Sequence, residues 1–168
     1  MSKKMTLAAL ATFSLIAGCE SFTDVSIPAH DAIAPTALPT LYEDGAHVYA
    51  SPQTSSNAGE SYVVVATAMD GGGAHRVTLV RHGKATCDLG GGIHQASFIH
   101  YAPIEATRVG DVGDTVSNGL YVVDVVKPGQ YACSQGVLIR GEYTWSVEAE
   151  DFHGNESVTD GGTLVYEK

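Results

Sequence analysis

From Glu142 to Glu150 the chain alternates without a fault: Tyr143, Trp145, Val147 and Ala149 on one parity, Glu142, Thr144, Ser146, Glu148 and Glu150 on the other. Successive side chains of an extended strand point to opposite faces, so this stretch describes a strand with one side on a core and the other in water. A helix cannot satisfy the pattern, because its neighbouring surface positions are three and four apart rather than two. Tyr143 and Trp145 make it the predicted centre of packing, and truncating Trp145 is expected to cost about 3–5 kcal/mol.

The rest of the chain repeats the theme with different punctuation. Residues 60–69 (Glu-Ser-Tyr-Val-Val-Val-Ala-Thr-Ala-Met) are apolar on both parities, as a central strand would be. Asp70-Gly-Gly-Gly73 reads as a turn, and Arg76–His82 alternates after it. Gly83-Lys84 and Gly90-Gly-Gly92 read as breaks around strands at 85–89 and 93–101. Further strands are predicted at 119–126, between Asn118-Gly119 and Pro128-Gly129, then at 130–140 and 163–167. No stretch after residue 20 sustains a 3.6-residue period. With 19 glycines and turn signals about every eight to twelve residues, the fold class is all-β, a sandwich or barrel.

The amino terminus carries a different message. Lys3 and Lys4 precede an uncharged run, Met5–Ala17, too short to span a bilayer as a helix and laid out like a secretory signal. It ends in Ile16-Ala17-Gly18-Cys19, which resembles the lipobox of bacterial lipoproteins: aliphatic, small, small, Cys. The resemblance implies a signal peptide at 1–18, cleavage before Cys19 and acylation of that residue. An ordinary secretory signal is the alternative. Several acyl chains, at roughly 0.8 kcal/mol per buried methylene, would make a durable anchor. Glu20, in place of the Asp that favours inner-membrane retention in that class, implies the outer membrane. From Glu20 to Glu43 the composition is polar and interrupted by Pro28, Pro35 and Pro39. We therefore expect a disordered tether over 19–45 and a β domain over 46–168.

The segment from Tyr143 through Asp151, Gly154-Asn155 and Ser157 resembles the penultimate strand and following turn of fibronectin type III and bacterial immunoglobulin-like domains. That likeness implies an immunoglobulin-like sandwich, with Tyr143 as the tyrosine-corner residue near the start of its strand. A transthyretin-like or carboxypeptidase-regulatory-like sandwich would fit the same periodicity.

Charge and cysteines narrow the function. Loss of residues 1–18 removes Lys3 and Lys4, leaving 7 basic against 19 acidic residues and a net charge of −12. Such a chain is a poor partner for nucleic acid or for an anionic membrane face. With Cys19 committed to lipid, Cys87 and Cys133 remain as a pair in an oxidising compartment, either bonded to each other or as two buried thiols. A bond over that separation would stabilise by roughly 4 kcal/mol in the chain-entropy model.

Catalytic spellings are missing: no Gly-x-Ser-x-Gly, no His-Glu-x-x-His and no phosphate-binding glycine loop. His94 and His100 share a parity, with His75 and His82 nearby in sequence, but six residues of strand separate the first two by about 20 Å, too far for one metal. The loops Gly110–Asp114 and Glu150–Asn155 offer oxygen ligands for calcium without the spacing of an EF-hand.

The expected function is a lipid-anchored, non-catalytic binding or structural module of the outer membrane, needing no cofactor or metal and engaging an envelope protein or surface component. One alternative is a periplasmic inhibitor similar to lysozyme inhibitors, faintly echoed by Tyr131-Ala-Cys133-Ser-Gln-Gly136. The other is a metal-binding envelope protein that uses the surface histidines.

Overall fold

The computed structural model describes residues 22–43, 46–48, 54–56, 60–105, 110–127, 133 and 136–168. The expected signal peptide at 1–18, Cys19 and the expected turn at Pro128-Gly129 lie outside these residues. Strands are the regular elements of the described chain, and no helix occurs among its residues.

A four-stranded sheet runs in the order β3 (Ala46–Val48), β2 (Thr36–Glu43), β5 (Tyr62–Met69), β9 (Gly119–Val126). A five-stranded sheet runs in the order β4 (Thr54–Ser56), β11 (Glu156–Glu167), β10 (Val137–Asp151), β6 (Ala74–Asp88), β7 (Ile93–Glu105). Every pairing is antiparallel except that of β4 with β11. A short ribbon joins β1 (Asp24–Ser26) to β8 (Thr115–Ser117). The two large sheets share one core: Leu41, Val64, Ala66 and Val122 meet Val77, Leu79, Trp145, Val147 and Leu164. The architecture is a β-sandwich.

β10 buries the side its alternation predicts. Tyr143, Trp145, Val147 and Ala149 are inside, while Glu148 is exposed and Glu142, Thr144, Ser146 and Glu150 are partly so. Yet the strand runs unbroken from Val137 to Asp151 through Gly141, so the two strands expected at 130–140 and 142–150 are one. Tyr143 consequently sits mid-strand rather than near its start, away from the corner position that the resemblance implied.

Gly83-Lys84 is not a break either. β6 passes straight through it, and Gly83 pairs with Tyr143 on one side and Phe98 on the other. The Phe98 ring lies over the Gly83 Cα, in the space a Cβ would take, and reaches Tyr143 edge-on at 5.9 Å. Glycine is needed there for close packing, not for a turn. A similar device serves Trp145. The β10–β11 register shifts between Thr144 and Ser146, so that Gly161 and Gly162 oppose one residue in a bulge. The indole occupies the space that a Gly161 side chain would need.

The expected tether requires a correction. Residues 36–43 are the strand β2, paired along its whole length with β5, and Ala37 and Leu41 are in the core. The segment before β2 is bound as well: Asn155 Nδ2 donates to the Asp31 carbonyl (3.1 Å), and Ser157 Oγ to that of Pro35 (2.5 Å). β1 is held by its ladder to β8 and by Ile27, whose N–H donates to the Asp114 carbonyl. The described domain therefore begins by Phe22, not at 46. The prolines that suggested a tether are accommodated: Pro39 lies in β2 beyond the β3 ladder, which among the described residues pairs only with Leu41, Tyr42 and Glu43, and the buried Pro35 precedes the strand.

The five-stranded sheet is the longer of the two and overhangs the other. Ala85, Cys87, Leu138 and Tyr166 form a second, smaller cluster on the overhang. The Cys87–Cys133 disulfide closes it, with Cα atoms 6.1 Å apart, within the range for an undistorted bridge.

Candidate functional site

Two regions of the sandwich carry unusual side chains. The first is the end where β5 turns into β6 and β10 into β11. In the Asp70–Gly73 turn, Asp70 Oδ1 accepts from the Gly72 N–H (2.7 Å). In the second turn, Asp151 Oδ1 accepts from the His153 and Asn155 N–H groups (both 2.8 Å), and Oδ2 from Asn155 Nδ2 (2.7 Å). Asp31 enters from the segment before β2. A side chain at Gly72 would meet the carboxylates of both Asp31 and Asp70, so these two acids approach each other across the glycine.

This gathering has an electrostatic cost. Asp70 is 7% exposed and Asp151 1%. Burial pushes the Asp70 carboxyl above its ordinary value, and the nearby charges of Asp31 and Asp151 push it the same way; the Gly72 N–H and His153 oppose them. Ligand atoms of Asp31, Asp151 and His153 lie within 4.8 Å of one another, a span that a cation could bridge. Both Asp151 oxygens, however, already serve Asn155, and one of them His153. The arrangement accounts for itself as a hydrogen-bonded cap that ties three distant pieces of chain together. The loop at Gly110–Asp114 is likewise a turn: Asp111 N–H donates to Asp114 Oδ2, and Gly113 N–H to the Ile27 carbonyl.

The histidines singled out from sequence are not brought together. His94 shares the parity of the core-facing Phe98, whereas His82, paired with Ile99, lies on the opposite face. His75 stacks against Phe152 at 5.0 Å, at the capped end. The side chain of His100 lies outside the described residues, as do Tyr131 and Ala132 of the inhibitor-like echo.

The second region was not foreseen. β5 is central in its sheet, but only Tyr62, Val64, Ala66 and Ala68 are fully inside; Val63, Val65, Thr67 and Met69 face outward and are half-covered. On β9 the outward residues are Tyr121, Val123 and Val125, exposed by 57%, 43% and 53%, and on β2 they include Leu38 at 55%. Register places Val63 beside Val125, Val65 beside Val123 and Thr67 between Leu38 and Tyr121. The outward positions of these three strands are Val, Leu, Met, Thr, Tyr or Gly, with no charge among them, in a chain with 19 acidic residues. The apolar run on both parities of 60–69 was the signal. It announces two apolar faces, but a strand cannot reveal that only one of them is covered.

The edge of this sheet turns its charge inward. Asp124 of β9 pairs with Arg81 of β6 between the sheets. The Arg81 guanidinium lies 5.9 Å from the Phe98 and Tyr143 ring centroids, and its Nε has no hydrogen-bond partner among the described residues. An inward charge on an edge strand opposes pairing with a further strand.

No family model matches the chain. No curated protein matches it. Among solved structures, it is weakly similar to a protein described as ApaA from Bordetella pertussis, at 7% identity and a TM-score of 0.26, over 79% of this chain and 93% of that one. That likeness is too weak to bear on fold or function.

Proposed function

We propose that this chain is a lipid-anchored, non-catalytic module of the bacterial outer membrane, built as a fibronectin type III-like sandwich, whose working surface is the uncharged outer face of the four-stranded sheet. The exposed apolar face carries the reading. Single exposed apolar residues are ordinary, but contiguous exposed apolar patches of this kind mark interaction sites. The lipobox at Ile16–Cys19 and the disulfide support export to an oxidising compartment.

Strand order supports the immunoglobulin-like part. With β2, β5, β6, β7, β9, β10 and β11 taken as seven consecutive strands, the first, second and fifth share one sheet, and the third, sixth and seventh the other. Immunoglobulin-like sandwiches divide their A, B, E and C, F, G strands this way. The fourth strand, β7, lies beside β6 in the second sheet.

Labelled palmitate and density separation of envelopes test the anchor. The native chain should be labelled and found with the outer membrane, and Cys19→Ser should be unlabelled and leave it. Unchanged labelling and fractionation in Cys19→Ser would end this reading.

A further inference from the structure

We infer that the occupant of the uncharged sheet face is the bilayer itself, and that the domain lies on the membrane along β2, β5 and β9 rather than standing away on a stalk. The inference rests on the lipidation of Cys19 proposed above and goes further, to the orientation of the domain.

The first argument is where the anchor enters. Gly119 lies on the outward parity of β9, and the Phe22 ring fills the place its Cβ would take. The same ring meets the outward-facing Tyr121, with centroids 6.2 Å apart. Just beyond, Thr23 N–H donates to Asn118 Oδ1 (2.7 Å) and Asn118 N–H to the Thr23 carbonyl (2.9 Å). The chain is thus fixed to the fold from Phe22 onward, on the outer face itself. Only Glu20 and Ser21 lie between Phe22 and Cys19, and the three steps fully extended reach about 11 Å. A tether running to residue 45 would have allowed a standoff on the order of 90 Å. Acyl chains on Cys19 would therefore hold hydrocarbon beside β9.

The second argument is chemical match. Laying a surface on lipid removes water from it, which a charge resists strongly and a Val or Leu favours. Eight-residue strands at about 3.3 Å per residue, three of them at about 4.8 Å spacing, give a face of roughly 26 by 14 Å. Tyr121, packed against Phe22 at the anchored corner, is a ring type suited to the water–lipid boundary. The opposite outer face carries Arg76, Lys84, Arg140, Glu142, Glu148 and Glu150 and could not take that place. Because the anchor makes contact intramolecular, even a modest apolar face would be occupied.

The test uses the full lipidated chain in phosphatidylcholine vesicles. With Cys19 acylated and Cys87 bonded to Cys133, Val123→Cys and Glu148→Cys each add a unique thiol for a nitroxide, one on each outer face; Val125→Cys replaces Val123→Cys if that variant does not fold. The label at 123 should collide several-fold more with oxygen, which concentrates in lipid, than with a nickel chelate confined to water, and the label at 148 should show the reverse. Equal nickel access at both positions would overturn the inference. So would shielding of 123 from both reagents with spin–spin broadening, the signature of a second copy on the face. The mass of the purified chain separates the two readings: without lipid on Cys19 both fall, whereas lipid present and 123 in water defeats the orientation alone.

Discussion

The two outer faces of the sandwich are made by the same backbone and the same alternation, yet they have opposite chemistry. On the five-stranded sheet, Arg76 pairs with Glu150 at 2.5 Å, Arg140 with Glu142 at 3.2 Å, and Arg140 also with Glu167. Such exposed pairs are worth about 0–1 kcal/mol each and act mainly to keep the face wet. On the four-stranded sheet, the equivalent positions are uncharged, and Tyr121, Val123 and Val125 stand open. Most of the large buried side chains belong to the shared interior, although Thr78, Val80 and Val165 are buried on the outward parity of the five-stranded sheet.

The comparison breaks if the open apolar face proves as important to folding as the interior. Trp145→Ala, at the centre of the core, should destabilise by about 3–5 kcal/mol in chemical denaturation. Next, Cys87→Ser should cost about 4 kcal/mol for a sequence separation of 46, less if the native bridge is strained. Denaturing the native chain with and without reductant should reproduce most of that loss.

A smaller effect is expected at the capped end. Because burial and two neighbouring acids raise the Asp70 pKa above its unfolded value, the folded chain holds that proton more tightly. Its contribution is most favourable below the ordinary carboxylate range, declines as pH rises through the folded pKa, and is level above it. Asp70→Asn keeps an oxygen for the Gly72 N–H and removes the charge. It should raise the melting temperature at neutral pH by about 2–4 °C and flatten that decline. A lower melting temperature at neutral pH would show that the ionised carboxylate is an asset. The smallest change sharpens the comparison most: Val123→Glu should alter stability by no more than about 0.5 kcal/mol while weakening whatever the face engages. A loss comparable to that of Trp145→Ala would mean that the face is structural.

Much of the fold is legible in the residues. The inward row of β10, the strand β5 and the Asp70–Gly73 and Gly90–Gly92 turns follow from local pattern, and the Cys87–Cys133 bond is one of the two states the cysteines left open. The misreadings share one cause. Gly83 looks like a break because only its neighbours across the sheet, Tyr143 and Phe98, show that an aromatic ring needs the space. Residues 22–43 look like a tether because their proline-rich text has no partner nearby in sequence; β2 finds its partner in β5. The capped end was half visible, as the Glu150–Asn155 loop, but Asp31 reaches it from 120 residues earlier in the chain.

The sequence by itself determines that this chain is extended rather than helical and which face of its best strand is wet. Those properties depend on side chains one and two residues apart, where the period of a strand is written directly. Only the tertiary structure decides that the amino-terminal segment belongs to the sandwich, that three aspartates share one end, and that one of two apolar faces stays open. Each of these depends on which distant segment lies opposite, and hydrophobic burial, being non-directional, marks a residue as apolar without naming the surface that will cover it.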